Sequence, residues 1–532
     1  MPADPLTDVD VDVLVIGGGP VGLATAALLG GLGIDTRLVE RHPTTSNHPR
    51  GFGIHPRTME VFRRLGVAAA IRANGLPPEV AGGFGFVTRL NGGERARLML
   101  GPMPDHFGPE QGCFCPQYRY EQILRARAEE HPGVSLAFGA EATGLDVVDG
   151  RANVQITHAA SGDTTTVTSR YVVAADGMHS PMRTMLGVTE TSTGAFGHSV
   201  SVYFRADLSR FRKARPFALT WTIDPGAEGT LGIAAADGSE WTFTFAADPN
   251  DDFGDADLQE RIRAAVGDSG VDIEVLDVLR WDYEQAVTDQ WRMGPVFFCG
   301  DAAHRFPPHG GFGMNSGVQD AENLAWKLAA VLRWGAAERL LDTYETERKP
   351  VAIHNGQRAL INTQRLADAN WEPEHAAASL EDQHEHFLSI GQQMGTIYRS
   401  AAIVDDGTES EASTVTNYVE SGRPGARAPH VTLEDVDGRR ISTIDACAGA
   451  FVVLSGDPRA ESQASDVPLA VLDVGPGRSY RCVDRPWQDA YGVKPEGAVV
   501  IRPDGHVAAR FQDASGDAVG AARRAMGAML QA

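Results

Sequence analysis

Short apolar runs bounded by glycine alternate along the amino-terminal part of the chain with stretches of helical spacing, a pattern that predicts parallel strands joined by crossover helices. Val11-Asp-Val-Leu-Val-Ile16 reads as a strand, Gly17-Gly-Gly-Pro-Val-Gly22 as a turn, residues 23–32 as an alanine- and leucine-rich helix, and Thr36 to Val39 as a second strand ending in Glu40. Met59, Val61, Phe62 and Leu65 mark an amphipathic helix, and Gln117-x-x-x-Glu121-x-x-Leu124 opens another behind a proline. The pattern then changes to strand alternation over residues 134–175, with turns at Asp149-Gly150 and Ser161-Gly162. His198 to Phe204, Phe217 to Ile223, Thr230 to Ala235 and Trp241 to Ala246 predict a separate antiparallel sheet, inserted before the strand Val296 to Cys299. Residues 315–400 are mainly helical in pattern, with Val318, Leu324, Ala325, Leu328 and Val331 on one face. After a polar, acidic connector, a last unit repeats strand signals at Val431 to Leu433, Phe451 to Leu454 and Leu469 to Val471. A hairpin around Pro503-Asp504-Gly505 and a final helix complete it.

The predicted organisation is α/β: residues 1–190 and 291–403 as two parts of one domain, 191–290 as an inserted sheet domain, 404–428 as a linker, and 429–532 as a carboxy-terminal domain. A chain of 532 residues has room for these cores. Its formal charge of −23 speaks against nucleic acid or an anionic membrane as partner. No apolar run approaches the length of a membrane span, and Met1 to Val11 is acidic without the basic stretch of a signal peptide, so a cytoplasmic protein is expected. Five cysteines without a C-x-x-C pair support neither a disulfide framework nor a metal site.

Three signatures carry the candidate chemistry. Gly17, Gly19 and Gly22 between strand and helix, with Glu40 at the next strand's end, form a dinucleotide fingerprint. Gly17 makes the turn, Gly19 lets a pyrophosphate approach, Gly22 packs helix on strand, and Glu40 meets the adenosine ribose. Arg50, downstream of it, can neutralise the pyrophosphate. Asp176-Gly-Met-His-Ser-Pro-Met-Arg183 is a second turn into a helix. The third signature runs from Gly300 to Asn315, Gly-Asp-Ala-Ala-His-Arg-Phe-Pro-Pro-His-Gly-Gly-Phe-Gly-Met-Asn. Asp301 can accept from a polyol hydroxyl, and glycine-exposed amides at a helix start suit a ligand edge that becomes negative. Reduced flavin offers both, a ribityl chain and an N1–C2=O edge.

In this order the three signatures closely resemble those of the class A flavoprotein monooxygenases, the single-component aromatic hydroxylases typified by p-hydroxybenzoate and phenol hydroxylase. The resemblance covers roughly residues 10–400, and the last unit resembles the redox-inactive thioredoxin-like domain of phenol hydroxylase and the polyketide hydroxylases. It implies a glutathione-reductase-type Rossmann FAD domain with noncovalent FAD, NADPH or NADH as cosubstrate, and hydroxylation of a phenolic, polycyclic polyketide-type aromatic through a flavin C4a-hydroperoxide. The residues expected at the cofactor are Gly17, Gly19, Pro20, Val21, Gly22, Glu40, Arg41, Arg50, Gln117, Asp176, Asp301, Pro308, Gly311, Gly313, Met314 and Asn315. Among them Arg50 and Gln117 contact the cofactor, Asp176 lies toward the nicotinamide path, the Pro308 carbonyl faces the flavin, and Met314 and Asn315 offer amides to its pyrimidine edge. Trp221, His309 and Arg365 are candidates for catalysis, and Tyr203 and Phe217 for the pocket wall, each with an ordinary structural alternative as core or solvated face. The expected partners are the aromatic substrate, O2 and NAD(P)H, with a monomer or homodimer as the assembly. A simple phenol hydroxylase and a flavin-bearing sensor are the alternatives. A flavin halogenase would need a W-x-W-x-I-P motif and an early lysine, whereas this chain has Thr220-Trp-Thr-Ile-Asp-Pro225 and Lys213 as its first lysine.

Overall fold

The computed structural model describes residues 11–212, 215–409, 411–456, 467–514 and 517–531; the acidic terminus before Val11 and Lys213 lie outside the described residues. Strands Val296–Phe298, Thr164–Ala174, Val11–Ile16, Thr36–Glu40 and Val134–Phe138 lie side by side and all run parallel. Their register pairs Val15 with Val173 on one side and with Leu38 on the other. Helices cover this sheet, which is why Val13, Leu14, Val15, Val172 and Val173 form unbroken apolar runs and are fully buried. Ala140–Val148 and Arg151–His158 fold back on Thr164–Ala174 as an antiparallel meander, turning where Asp149 and Gly150 take φ of 50° and 75°.

The inserted sheet has eight strands, and its centre is the long pair Glu190–Arg205 and Glu274–Thr288. Val200, Val202 and Phe204 pack outward against Leu258, Ile262 and Val266 of the helix Asp255–Val266, so Ser199 and Ser201 fall on the inner face. Two strands unforeseen in the sequence, Gly83–Val87 and Glu94–Met99, extend this sheet beside Phe217–Thr222. They come from within the stretch 1–190 drawn as the first domain segment, so the sheet is larger than residues 191–290. At Gly85 an added Cβ would overlap the Phe217 ring, so the glycines that obscure the strand pattern are required by the packing. His304–Arg305 pairs with Glu274–Thr288 and ties the Gly300 loop to this sheet.

Leu469–Asp473, Phe451–Ser455, Ala498–Ile501 and Val507–Phe511 form the last sheet, the first pair parallel and the others antiparallel, with helix Ala518–Leu530 against it. This is a thioredoxin-like arrangement, and its Cys447 is fully buried, the thiol pushed up to about 12 by burial. The stretch 404–428, expected as a polar linker, carries no helix or strand among its described residues, yet Tyr418, Arg427 and Ala428 are buried. Arg427 Nε donates to Glu60 Oε2 at 2.9 Å and its Nη1 to the Tyr418 hydroxyl at 3.2 Å, so the connector is strapped to the first domain.

A buried charge lattice joins the carboxy-terminal unit to both segments of the first domain. Arg502 of the hairpin donates to both oxygens of Glu347 at 2.6 and 2.8 Å, Lys327 donates to Glu347 at 2.8 Å, and Arg502 Nε also meets Asp504 at 3.0 Å. Arg57 donates to Glu322 at 2.8 Å and to the Asp504 carbonyl oxygen at 2.7 Å. Burial alone would raise the Glu347 carboxyl, but Arg502 and Lys327 hold it well below the usual carboxylate range. Removing one member strands the opposite charge in the interior, at a cost of roughly 3–5 kcal/mol. Asp504→Ala should therefore lower stability by about that amount, whereas Asp517→Ala, which opens only the exposed Arg524 pair, should cost less than about 1 kcal/mol. Urea titrations of both variants beside the parent check the contrast, and equal midpoints for all three would contradict it.

Candidate active site

The three signatures converge at the carboxy-terminal ends of the parallel strands. Gly17, at φ 107°, faces the Ala175 carbonyl so closely that a Cβ there would collide with it, and a Cβ at Gly22 would strike the Gly17 carbonyl oxygen. Only Gly19 opens onto free space, with no atom within 4 Å of where its Cβ would stand. The first two glycines thus serve chain packing, and the third leaves a vacancy at the helix start, where a phosphate finds unpaired amides. Pro20 is at the first helical position, and Val21 packs against the backbone at Gly300 and Gly317, joining the first signature to the third. Glu40 accepts from the Gly18 amide at 2.6 Å and the His42 amide at 2.8 Å. Arg41 and Arg50 are exposed beside this end of the sheet. Gln117 is buried, donates to Glu121 at 2.6 Å and receives the chain at Gly51.

Asp176 accepts from the Met182 amide at 3.0 Å through one oxygen, while its other oxygen is buried without a partner. Burial pushes this carboxyl up. Arg183 reaches from the same turn to the carbonyl oxygens of Ala302 and Met178 at 3.0 and 2.8 Å, fixing the second signature to the third.

Asp301 is set deep among protein atoms, which raises its carboxyl, yet its side chain remains open to solvent, so it faces a recess. Gly313 begins the adjoining helix with its Cβ position 3.9 Å from Asp301 Oδ1. That helix, Phe312–Arg333, starts after Gly311 in the left-handed conformation (φ 67°) and has no side-chain cap, which leaves its first amides for a ligand. Pro308 and Gly311 are exposed, as Asp301 is. Asn315 turns its side chain away from the opening: Nδ2 donates to Gly53 and Gly311 carbonyl oxygens at 2.9 and 2.7 Å, and Oδ1 accepts from the His55 amide at 2.9 Å. His55, not singled out in the sequence, donates from Nε2 to the Gly310 carbonyl oxygen at 3.0 Å. Below the loop, Asp320 accepts from His304 at 2.6 Å and from Arg348 at 2.7 Å.

The open carboxylate, the unpartnered Asp176 oxygen, the space over Gly19 and the uncapped helix match a dinucleotide bearing a flat, reducible ring. An aromatic cluster reaches the loop through His386, whose ring stacks on Phe387 at 4.0 Å and stands 5.8 Å from that of His309. Phe86 stacks between Trp221 at 5.1 Å and Trp371 at 3.8 Å, Phe84 stacks on Phe387 at 4.4 Å, and Trp221 meets Phe387 edge-on at 5.5 Å. Trp221 is thus part of this cluster. Phe217 is buried under the Arg97 guanidinium, and Tyr203 donates to Glu240 at 2.6 Å. Arg365 is directed elsewhere, pairing with Glu385 at 2.6 Å beside a surface hollow of about 480 Å³ that also includes Asp382 and His384. His309 faces Thr363 at 2.9 Å. Among the described residues, no cluster of three His, Cys, Asp or Glu could hold a metal, and no helix is long and apolar enough to cross a membrane.

Residues 10–359 match the family model described as "FAD binding domain", and residues 421–531 match "Aromatic-ring hydroxylase, C-terminal". The chain belongs to the FAD-dependent aromatic-ring hydroxylases and is a monooxygenase that binds FAD. It is 36% identical to a 4-methyl-5-nitrocatechol 5-monooxygenase of Burkholderia sp, covering 99% of both chains. It is 35% identical to tetracenomycin A2 monooxygenase-dioxygenase of Streptomyces glaucescens, covering 98% of this chain and 97% of that one. Among solved structures, the flavin-dependent monooxygenase PieE in complex with FAD and substrate superimposes with a TM-score of 0.88 at 31% identity, over 98% of this chain and 99% of that one. A ternary complex of aklavinone-11 hydroxylase with FAD and aklavinone does so at 0.84 and 30%, over 98% and 99%.

Burial lowers the His55 imidazole to about 4, against the opposing bond to Gly310, so it is neutral in the folded protein at pH 7. The unfolded chain takes up this proton first, below about 6.5. The contribution is complete above that value and is lost as pH falls toward 4. His55→Gln should consequently flatten the fall of melting temperature on acidification in that window; an unchanged slope in the variant would contradict the assignment.

Proposed function

We propose that the enzyme hydroxylates a phenolic, polycyclic polyketide-type aromatic, with NADPH or NADH as hydride donor and O2 as cosubstrate. The observation that carries the reading is the continuous aromatic cluster of Phe84, Phe86, Trp221 and Phe387, which meets the Gly310 loop through His386 and His309. Such a cluster suits a fused ring system. The names of the tetracenomycin and aklavinone enzymes favour the polycyclic class. The nitrocatechol enzyme and a 31% identical 2,4-dichlorophenol 6-monooxygenase support a simple phenol as the second reading.

In this proposal the segments 1–190 and 291–403 hold FAD, and the inserted sheet, enlarged by residues 83–99, holds the ring over it. Glu40 binds the adenosine ribose, Arg41 and Arg50 face the pyrophosphate with Gln117 placing the Arg50 turn, Asp176 accepts from a cofactor hydroxyl, and Asp301 holds the ribityl chain. Bound FAD supplies hydride acceptance and oxygen activation. The chain's own part is to hold the amides from Gly313 to Asn315 at the edge that becomes negative, and to keep water from the ring. Those amides are preorganised because Asn315 and His55 brace the loop from behind. Five free cysteines suit the reducing cytosol as the site of action, and a monomer or homodimer is the proposed assembly.

Aerobic NADPH and NADH oxidation, screened against simple phenols and polycyclic phenols, should rise with the substrate and yield a hydroxylated product. Product formation only from monocyclic phenols would select the second reading. Asp301→Ala should weaken FAD retention by about 1–3 kcal/mol, the scale of a lost hydrogen bond to a charged group. Equilibrium dialysis with FAD measures it, and unchanged affinity would remove Asp301 from the site. Anaerobic stopped-flow reduction by NADPH should accelerate when an accepted phenol is present, since loop closure over substrate gates such steps; equal rates with and without it would exclude gating.

A further inference from the structure

Beside the Gly310 loop, four elements bring together polar groups that lack partners. His309 Nδ1 lies 2.9 Å from Thr363 Oγ1, and the Thr363 hydroxyl donates to the Ala359 carbonyl oxygen at 2.8 Å. The threonine oxygen therefore accepts, the proton of His309 is on Nδ1, and Nε2 presents a lone pair. His386, on the short helix His384–Phe387, directs Nδ1 to Gln383 Oε1 at 3.2 Å, so its Nε2 is likewise an acceptor. The two rings stand 5.8 Å apart at 79°, and Tyr283 of the inserted sheet meets His309 edge-on at 6.4 Å. Among the described residues no group donates to either Nε2. Asn362, which is fully buried and donates to the His309 carbonyl oxygen at 3.2 Å, has its Oδ1 without a partner; Gln383, also fully buried, has its Nε2 without one. These groups are continuous with the aromatic cluster, because Phe387 stacks on His386 at 4.0 Å and on Phe84 at 4.4 Å.

Asn362 Oδ1 is a buried acceptor without a donor, which is costly, whereas the two Nε2 atoms are not closed off by protein and are free to accept from a ligand hydroxyl. Among the described residues no carboxylate pairs with either ring: Glu385, on the same short helix as His386, is held by Arg358 and Arg365 at 2.9 and 2.6 Å. The other titratable group facing the pair is Tyr283. Burial lowers His309 to about 4, and burial together with His309 lowers His386 well below the imidazole range, so both are neutral acceptors at pH 7.

We propose that His309 and His386 form a hydroxyl-reading subsite that accepts hydrogen bonds from two ring hydroxyls of a polyhydroxylated aromatic substrate, with Thr363 as the positioning residue that fixes the His309 tautomer. The inference rests on the aromatic-hydroxylase reading and narrows it to substrates that carry a diol at the end buried beside the loop. One neutral hydrogen bond contributes about tenfold in affinity at most.

The test titrates the FAD-loaded enzyme with naphthalene-2,3-diol, 2-naphthol and 2-methoxynaphthalene and reads the flavin absorbance change. The parent should bind the diol most tightly and the ether least, in steps of up to about tenfold. His309→Phe and His386→Phe keep the ring stacks and remove the acceptors. Each should lose most of the preference for the diol while binding the ether as the parent does. Thr363→Val should lower diol affinity, and Thr363→Ser should restore it, a rescue that a purely structural role would not show. Equal binding of all three probes by the parent, or a loss in the variants that is the same for all three, overturns the subsite alone. Binding of none by the parent overturns the aromatic reading as well.

Discussion

Glu347 receives two guanidinium bonds and an ammonium bond in the interior, and this clustered charge is the constraint on which the position of the active-site loop depends. The lattice connects the helix that begins at Phe312, the helix that begins at Thr343 and the hairpin at Arg502, while Arg57 draws in the helix before which His55 stands. Pulling any of these elements away would leave a buried charge short of a partner. An apolar interface of the same area would tolerate sliding far better. The carboxy-terminal unit lacks redox cysteines in a C-x-x-C turn, yet by this route it has a mechanical role: it fixes the helices whose starts and faces make the site.

Rigid support at the back coexists with openness at the front. Gly19, Asp301, Pro308 and Gly311 present free surface, whereas Asn315, Asp320, His304 and Arg348 are consumed in hydrogen bonds that face inward. The same short loop thus contains groups of opposite assignment, and the side chain of Asn315 belongs to the support. A residue's presence in a signature does not say which of its atoms meets the ligand.

The parts legible in the sequence are those whose requirement is local. A glycine that would otherwise strike the Ala175 carbonyl, a proline at a helix start and an acid at a strand end each leave their mark within a few residues. The strands Gly83–Val87 and Glu94–Met99 escaped because the glycines that admit the Phe217 ring break the alternation. The pairing of Arg427 with Glu60 spans 367 positions, so no window of sequence could distinguish a buried strap from a solvated connector. Phe387 and His386 are on a single helical turn whose place against Phe84 is decided by tertiary packing alone.

That last group differs in kind from the residues expected at the cofactor: those follow from local motifs, whereas the aromatic cluster is assembled by tertiary packing. FAD is one fixed molecule, and the features expected to hold it here are backbone geometry written in glycine. The substrate end must instead match a particular ring, and it does so with side chains from the inserted sheet, the loop and the late helices together. Their selectivity resides in tautomers and unpaired lone pairs, such as the Nδ1 proton of His309 set by Thr363, which follow from contacts rather than from residue types. Neutral histidines at this position also separate recognition from the protein's charge of −23, since a burial-held acceptor reads a hydroxyl without attracting or repelling ions at a distance.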